Sequence, residues 1–304
     1  MNKLPELLAP AGDMEKLRFA IAYGADAVYF AGRQFGMRAA AANFDDEALR
    51  AGIAYAHAHG VKCYITVNIM PSERDLTALP AYLELLADAG ADALIVADVG
   101  VIRLAQRYAP KVPLHISTQT SILNHEAANF WADLGAERIV LARELSLEEI
   151  AEIRANTPKT LEIEAFVHGA MCISYSGRCL ISQYMTGRDA NRGACAQPCR
   201  WNYALMEEKR PGEFFPVGED VRGTYLYNSK DLCMIEHIPE LAQAGIDSLK
   251  IEGRNKTAYY AACVTGAYRA ALDAYAADPA GYVLPQFCLD EVNKVSHRDY
   301  YTGF

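Results

Sequence analysis

Cys172, Cys179, Cys195 and Cys199 follow the pattern C-x6-C-x15-C-x3-C, so half of the chain's eight cysteines fall in one polar, glycine-rich stretch of its 304 residues. Thiols gathered in this way are either oxidised in pairs or ligate a soft metal. The chain opens MNKLPELLAPAGD, without the apolar core or cleavage site of a secretory leader, and runs such as ALIVADVGVI are too short to span a bilayer. A cytoplasmic setting is therefore expected. Thiols stay reduced there, which makes metal ligation the main reading and disulfides the minor one. Spacing alone does not separate Zn(II) from an iron–sulfur cluster. Structural zinc sites usually pair ligands as C-x2–4-C, which only Cys195 and Cys199 satisfy, so a [4Fe–4S] cluster is the better fit. Four protein thiolates leave no iron open to substrate, which points to electron transfer or a structural role. Cys63, Cys263 and Cys288 read as small apolar side chains, and Cys233 as the one plausible substitute ligand.

Cations and aromatic rings share the same stretch: Arg178, Arg188, Arg192, Arg200, Lys209 and Arg210 alternate with Tyr175, Tyr184, Trp201 and Tyr203. That mixture suits phosphate contact and base stacking. The competing reading is a solvated loop whose cations pair with Asp189, Glu207 and Glu208. A net charge of −9 argues against a protein that coats nucleic acid nonspecifically, and leaves room for a local basic grip. Hydrolytic signatures are weak: HEAAN at 125–129 lacks the second histidine of H-E-x-x-H, and G-x-S-x-G is absent.

These residues must be positioned by a scaffold, and a recurring motif sets it. Gly24-Ala25-Asp26 precedes AVYFAG, Gly90-Ala91-Asp92 precedes ALIVAD, Gly135-Ala136-Glu137 precedes RIVLAR, and Gly245-Ile246-Asp247 precedes SLKIEG. Each time an amphipathic run ends at a glycine suited to a left-handed cap, and a short apolar run follows, as for a strand buried on both faces. Strands are expected near 5–9, 26–31, 62–68, 92–97, 113–118, 138–142, 162–168 and 247–252. Helical patterns lie between them, KDLCMIEHIPELAQAG included, and one follows the last strand. Eight such units read as an α/β chain folded into a single (β/α)8 TIM-like barrel spanning 1–304, with 277–304 as a C-terminal tail. An open doubly wound sheet is the weaker reading, since no G-x-G-x-x-G follows the first strand. The spacing between strands seven and eight is far longer than the rest, which makes 170–228 a cysteine-rich insertion over the catalytic mouth. Polar residues at the strand C-terminal ends are the second class of candidates: Arg33, Arg38, Asn68, Asp98, Ser117, Gln119, Arg143, Glu144, His168, Lys250, Glu252 and Arg254. His168 and the Lys250–Glu252–Arg254 set flank the insertion on both sides.

The segment EAFVHGAMCISYSGRCLIS at 164–182 resembles the signature of peptidase family U32, first described as collagenase-like peptidases. Further matches are PELLAPAGD (5–13), YGADAVYFAG (23–32), LARELSLEEI (141–150), GACAQPCRW (193–201), NSKDL (228–232), SLKIEGR (248–254) and SHRDYYTGF (296–304). Within the family the chain is most similar to the prephenate-dependent tRNA wobble-uridine hydroxylases. The resemblance implies a [4Fe–4S] cluster on Cys172, Cys179, Cys195 and Cys199. It also implies oxygen-independent hydroxylation of RNA, with tRNA (its anticodon region) as partner and prephenate or a related metabolite as co-substrate. On that reading His168, Lys250 and Glu252 are candidate catalytic or orienting groups. Arg178, Arg200, Trp201 and Arg254 are candidate contacts to substrate. The rival expectations are a collagenase-like peptidase and a non-catalytic subunit of a hydroxylase complex.

Overall fold

The computed structural model describes residues 4–38, 41–201, 203–216, 219–220, 223–224 and 230–303. Eight parallel strands form the centre: β1 (Glu6–Pro10), β2 (Ala27–Phe30), β3 (Lys62–Val67), β4 (Ala93–Val96), β5 (Leu114–Ile116), β6 (Ala136–Val140), β7 (Glu162–Ala170) and β8 (Ser248–Ile251). Each lies within two residues of its expected span. β8 pairs with both β7 and β1, so the sheet closes into a (β/α)8 barrel. Around it lie α1 (Met14–Ala22), α2 (Asp46–Ala58), α3 (Leu79–Asp88), α4 (Val99–Tyr108), α5 (His125–Asp133), α6 (Leu147–Ala155), α7 (Ile238–Gln243) and α8 (Ala258–Ala277). Side-chain caps start most of these helices, among them Asp13, Asp45, Asp98, Asn124, Ser146 and Thr257. No helix is long and apolar enough to cross a membrane among the described residues.

The repeated Gly-x-Asp motif has a mechanical role at the N-terminal end of the barrel. Gly24, Gly90, Gly135 and Gly245 take φ between +77° and +92°, ending the preceding helix. The aspartate two residues on then accepts a backbone N–H from the neighbouring strand: Asp26 from Leu7 at 2.8 Å, Asp92 from Cys63 at 2.7 Å, Asp247 from Ile163 at 2.9 Å. A helix-borne side chain completes each latch, Arg269 on Asp26, His57 on Asp92 and Arg154 on Asp247. The cluster of His57, Cys63 and Asp92 is one copy of this latch, in which His57 occupies the place of an arginine.

Two helical expectations are corrected. KDLCMIEHIPELAQAG does not form one helix: Asp231–Cys233 is a strand antiparallel to β7, and only Ile238–Gln243 is α-helical. β7 outruns β8, so its backbone groups at 168–170 need a partner, and Pro239 fits only the first turn of a helix. Pro80 likewise starts α3 after a separate turn, Glu73–Leu76. The C-terminal tail carries a helix, Gln286–Lys294, that packs on α8 and buries Cys288 and Val292. Tyr300–Tyr301 then extends the sheet beside Asp231–Leu232.

The barrel interior is only half apolar. Leu8, Ala27, Tyr29, Tyr64, Ala93 and Ile95 form one cluster inside it. Opposite, Arg138 reaches Glu6 at 2.7 Å, Glu162 at 2.5 Å and Glu164 at 3.1 Å, and Glu164 passes on to Lys250 at 2.6 Å. A buried charge survives only with partners of opposite sign, and here each has at least one.

Candidate functional site

A cavity of about 370 Å³ opens at the C-terminal end of the barrel, roofed by the insertion. Cys172, Cys179, Cys195 and Cys199 all line it, and all eight cysteines are free thiols. No three of these four sulfurs lie within 4.8 Å of one another. One tetrahedral ion with bonds of about 2.3 Å would draw them closer than that. A reduced, four-sulfur donor set spread along one wall fits a multi-iron cluster. Burial pushes the Cys199 thiol up, and the neighbouring Cys172 adds to the effect. A bound cationic core would relieve both.

The rest of the cavity lining is cationic. Arg38, Arg143, Arg200, Arg254, Lys250 and Lys256 line the cavity against the single carboxylate of Glu252. Glu252 lies 3.3 Å from Arg38. Burial alone would raise its pKa, but Arg38, Arg254 and Arg143 outweigh that and hold it below the usual carboxylate range. Burial depresses Arg254 to about 10, and lowers Arg200 and Lys256 as well. Arg254 donates to Thr66 at 3.1 Å and to the Met37 carbonyl. Arg143 reaches Ser176 at 2.9 Å and the Ala170 carbonyl at 3.3 Å. The buried Nε atoms of Arg143, Arg200 and Arg254 have no partner. Donors left over in a buried cationic pocket call for an anionic ligand with several acceptor oxygens. Lys250 forms the floor, fixed by Glu164 and by the ring faces of Tyr29 at 4.6 Å and Phe166 at 5.4 Å. Arg38 has φ +91°, a strained left-handed backbone fastened by Asn43 and Ala41 on its carbonyl.

Of the polar strand-end residues, Arg38, Asn68, Ser117, Gln119, Arg143, Lys250, Glu252 and Arg254 meet in the cavity. Arg33 instead pairs with Asp45 outside, and Asp98 caps α4. His168 is the main correction. β7 advances from Phe166 to His168 while β8 advances by one residue, from Lys250 to Ile251. This bulge turns the His168 ring out of the barrel, among Tyr260, Tyr268 and Tyr300. Burial holds it at about 3, so it is neutral and does not face the cavity. Gly169 follows at φ +109°, where a Cβ would sit 2.4 Å from the Glu252 carbonyl, so the bulge needs glycine there. Cys233 lies beside His168 and does not line the cavity either. Arg178 and Trp201 lie on the outer side of the insertion, exposed rather than in the cavity. Asn228 and Ser229 of the NSKDL match, and the end of the insertion, fall outside the described residues.

Sequence reasoning missed Glu164, Arg138 and Glu6, which fix Lys250 from below. The signal was present, since EIEAF carries two acids on alternate positions of a buried strand. No histidine lines the cavity among the described residues. Ser117 bonds Gln119, and Ser176 bonds Arg143.

Comparison with known proteins places the chain among relatives. The chain is 45% identical over its whole length to tRNA hydroxylation protein P1 of Bacillus subtilis, covering 71% of that protein. It is 40% identical over 88% of its length to the 23S rRNA 5-hydroxycytidine C2501 synthase of Escherichia coli, covering 39% of that protein. A collagenase of Porphyromonas gingivalis is 35% identical over 89% of the chain, which covers 66% of it. The solved structure of the U32 peptidase Mk0906 superposes with a TM-score of 0.53 at 14% identity, over 83% of this chain and 93% of that one, which supports the fold. Residues 12–304 match the family described as peptidase family U32, and to that family the chain belongs.

Proposed function

We propose that this chain is an RNA hydroxylase that converts the wobble uridine of tRNA to 5-hydroxyuridine without molecular oxygen. The observation that carries the reading is the cavity lining, where four free thiols share one space with six cations. Relatives named for tRNA hydroxylation and for rRNA hydroxycytidine synthesis support the substrate class. Cys172, Cys179, Cys195 and Cys199 would hold a [4Fe–4S] cluster, which when bound supplies one-electron transfer. Exchanging C5–H for C5–OH removes two electrons, so a co-substrate must either accept them, with water supplying the oxygen atom, or deliver oxygen already at that oxidation level. A prephenate-like metabolite suits the cationic wall because its carboxylates match the spare donors of Arg143, Arg200 and Arg254. Lys250, pinned by Glu164, presents an ammonium to whatever occupies the floor, and Glu252 keeps Arg38 and Arg254 in place.

The test is nucleoside analysis of an unmodified anticodon stem–loop after incubation with air-free protein and prephenate. The expected product is a uridine carrying one added oxygen atom, absent when prephenate is left out. Unmodified RNA from protein with full cluster content would contradict the proposal. The peptidase reading predicts gelatin cleavage by cluster-free protein instead.

A further inference from the structure

The wall that carries the four cysteines has a second, outward side that the cavity chemistry does not use. The short helix Ile181–Thr186 projects Tyr184, 91% exposed, with Leu180 at its start and Met185 beside it. Met185 touches the Tyr203 hydroxyl, 3.5 Å from its sulfur, and the Tyr203 ring lies 6.4 Å from that of Trp201 at a tilt of 30°. Trp201 is itself 43% exposed. These side chains make one continuous strip, and its neighbours Cys199 and Arg200 line the cavity on the inner side.

Charge says what covers the strip. Arg192 is neutralised by Asp75, and Arg210 by Glu207 and Glu213. Arg178 and Arg188 flank the strip, exposed, with no acidic partner among the described residues. A protein partner of ordinary composition would be met by an apolar patch with mixed charges at its rim. Flat rings bordered by Arg178 and by Arg188, whose Nε donates to the Ala194 carbonyl at 2.9 Å, match unstacked bases joined by phosphates.

We infer that this outer face is a landing strip for single-stranded RNA, with Tyr184 and Trp201 stacking bases and Arg178 and Arg188 holding phosphates. It would deliver a loop nucleotide to the adjacent cavity mouth. The inference rests on the RNA reading above and adds the surface that reading lacks.

The test measures anisotropy of a fluorescein-labelled RNA hairpin with a seven-base loop, against cluster-loaded protein, over a range of salt. Y184A combined with W201A should weaken binding at least tenfold, from a loss of about 1–3 kcal/mol per stacked base. R178A with R188A should flatten the salt dependence by about one to two phosphate contacts. Both pairs should keep the visible absorbance and Tm of the parent, because all four side chains are exposed. Affinity and salt slope equal to the parent's in both pairs would overturn the strip. If those variants still hydroxylate RNA, the strip fails while the function stands. If the parent protein neither binds nor modifies the hairpin, the RNA reading itself fails.

Discussion

The two ends of the barrel spend their charges differently. At the N-terminal end each latch aspartate holds a strand N–H and a helix side chain, and Arg138 satisfies three carboxylates at once. At the C-terminal end three guanidinium Nε atoms are spare, against that of Arg269 at the closed end, six cations share one carboxylate, and four thiols sit unpaired by disulfides. The closed end is built to be stable alone. The open end is incomplete without ligands, as expected where barrels place their chemistry.

Changes at the closed end should therefore cost stability, and changes at the open end should cost function. The largest effect is expected for Arg138→Ala, which takes their shared cation from Glu6, Glu162 and Glu164 and leaves Lys250 on Glu164 alone; denaturant unfolding should show a loss of about 3–5 kcal/mol. His168 gives the next, through pH. Its folded value of about 3 lies below the ordinary histidine range, so the unfolded chain binds the extra proton. Its contribution to stability is present above about pH 6.5 and is lost as pH falls toward 3. Asp231 opposes this shift, His297 and Lys256 reinforce it, and the tyrosine rings around it supply the burial. His168→Gln should flatten the decline of Tm between pH 6.5 and 4, and an unchanged decline would mean other groups drive it.

Asp247→Ala should follow, removing the bonds to Ile163 and Arg154 for about 1–3 kcal/mol, with co-substrate affinity untouched. Smallest in stability is Arg200→Ala, about 1 kcal/mol or less in either direction by the same unfolding measurement. Its KM for the anionic co-substrate should nevertheless rise about tenfold, the loss of one charged hydrogen bond. A stability loss at Arg200 as large as that at Arg138 would erase the contrast between the ends.

The closed end was the legible one. Gly-x-Asp recurs because three βα units, at Gly24, Gly90 and Gly245, share one cap and latch, and that repeat helped place eight strands to within two residues. Strand alternation also brought Lys250, Glu252, Arg254, Arg143 and Arg38 to one mouth. The failures are places where a local rule was overridden by a distant one. A one-residue bulge in β7, dictated by pairing with β8, sent His168 to the opposite face. The strand Asp231–Cys233 exists because β7 is longer than its neighbour, a fact written far from KDLC. Arg178 and Trp201 were assigned to the right insertion, but which side of it they occupy depends on tertiary packing.

The central claim is that the thiol wall holds a redox cluster, and the most direct measurement is iron and sulfide content with the visible spectrum of air-free protein, beside Cys195→Ala. The account predicts a broad visible charge-transfer band and about four iron and four sulfide per chain, lost in the variant together with hydroxylation. A colourless or zinc-loaded protein that still hydroxylates RNA would contradict it.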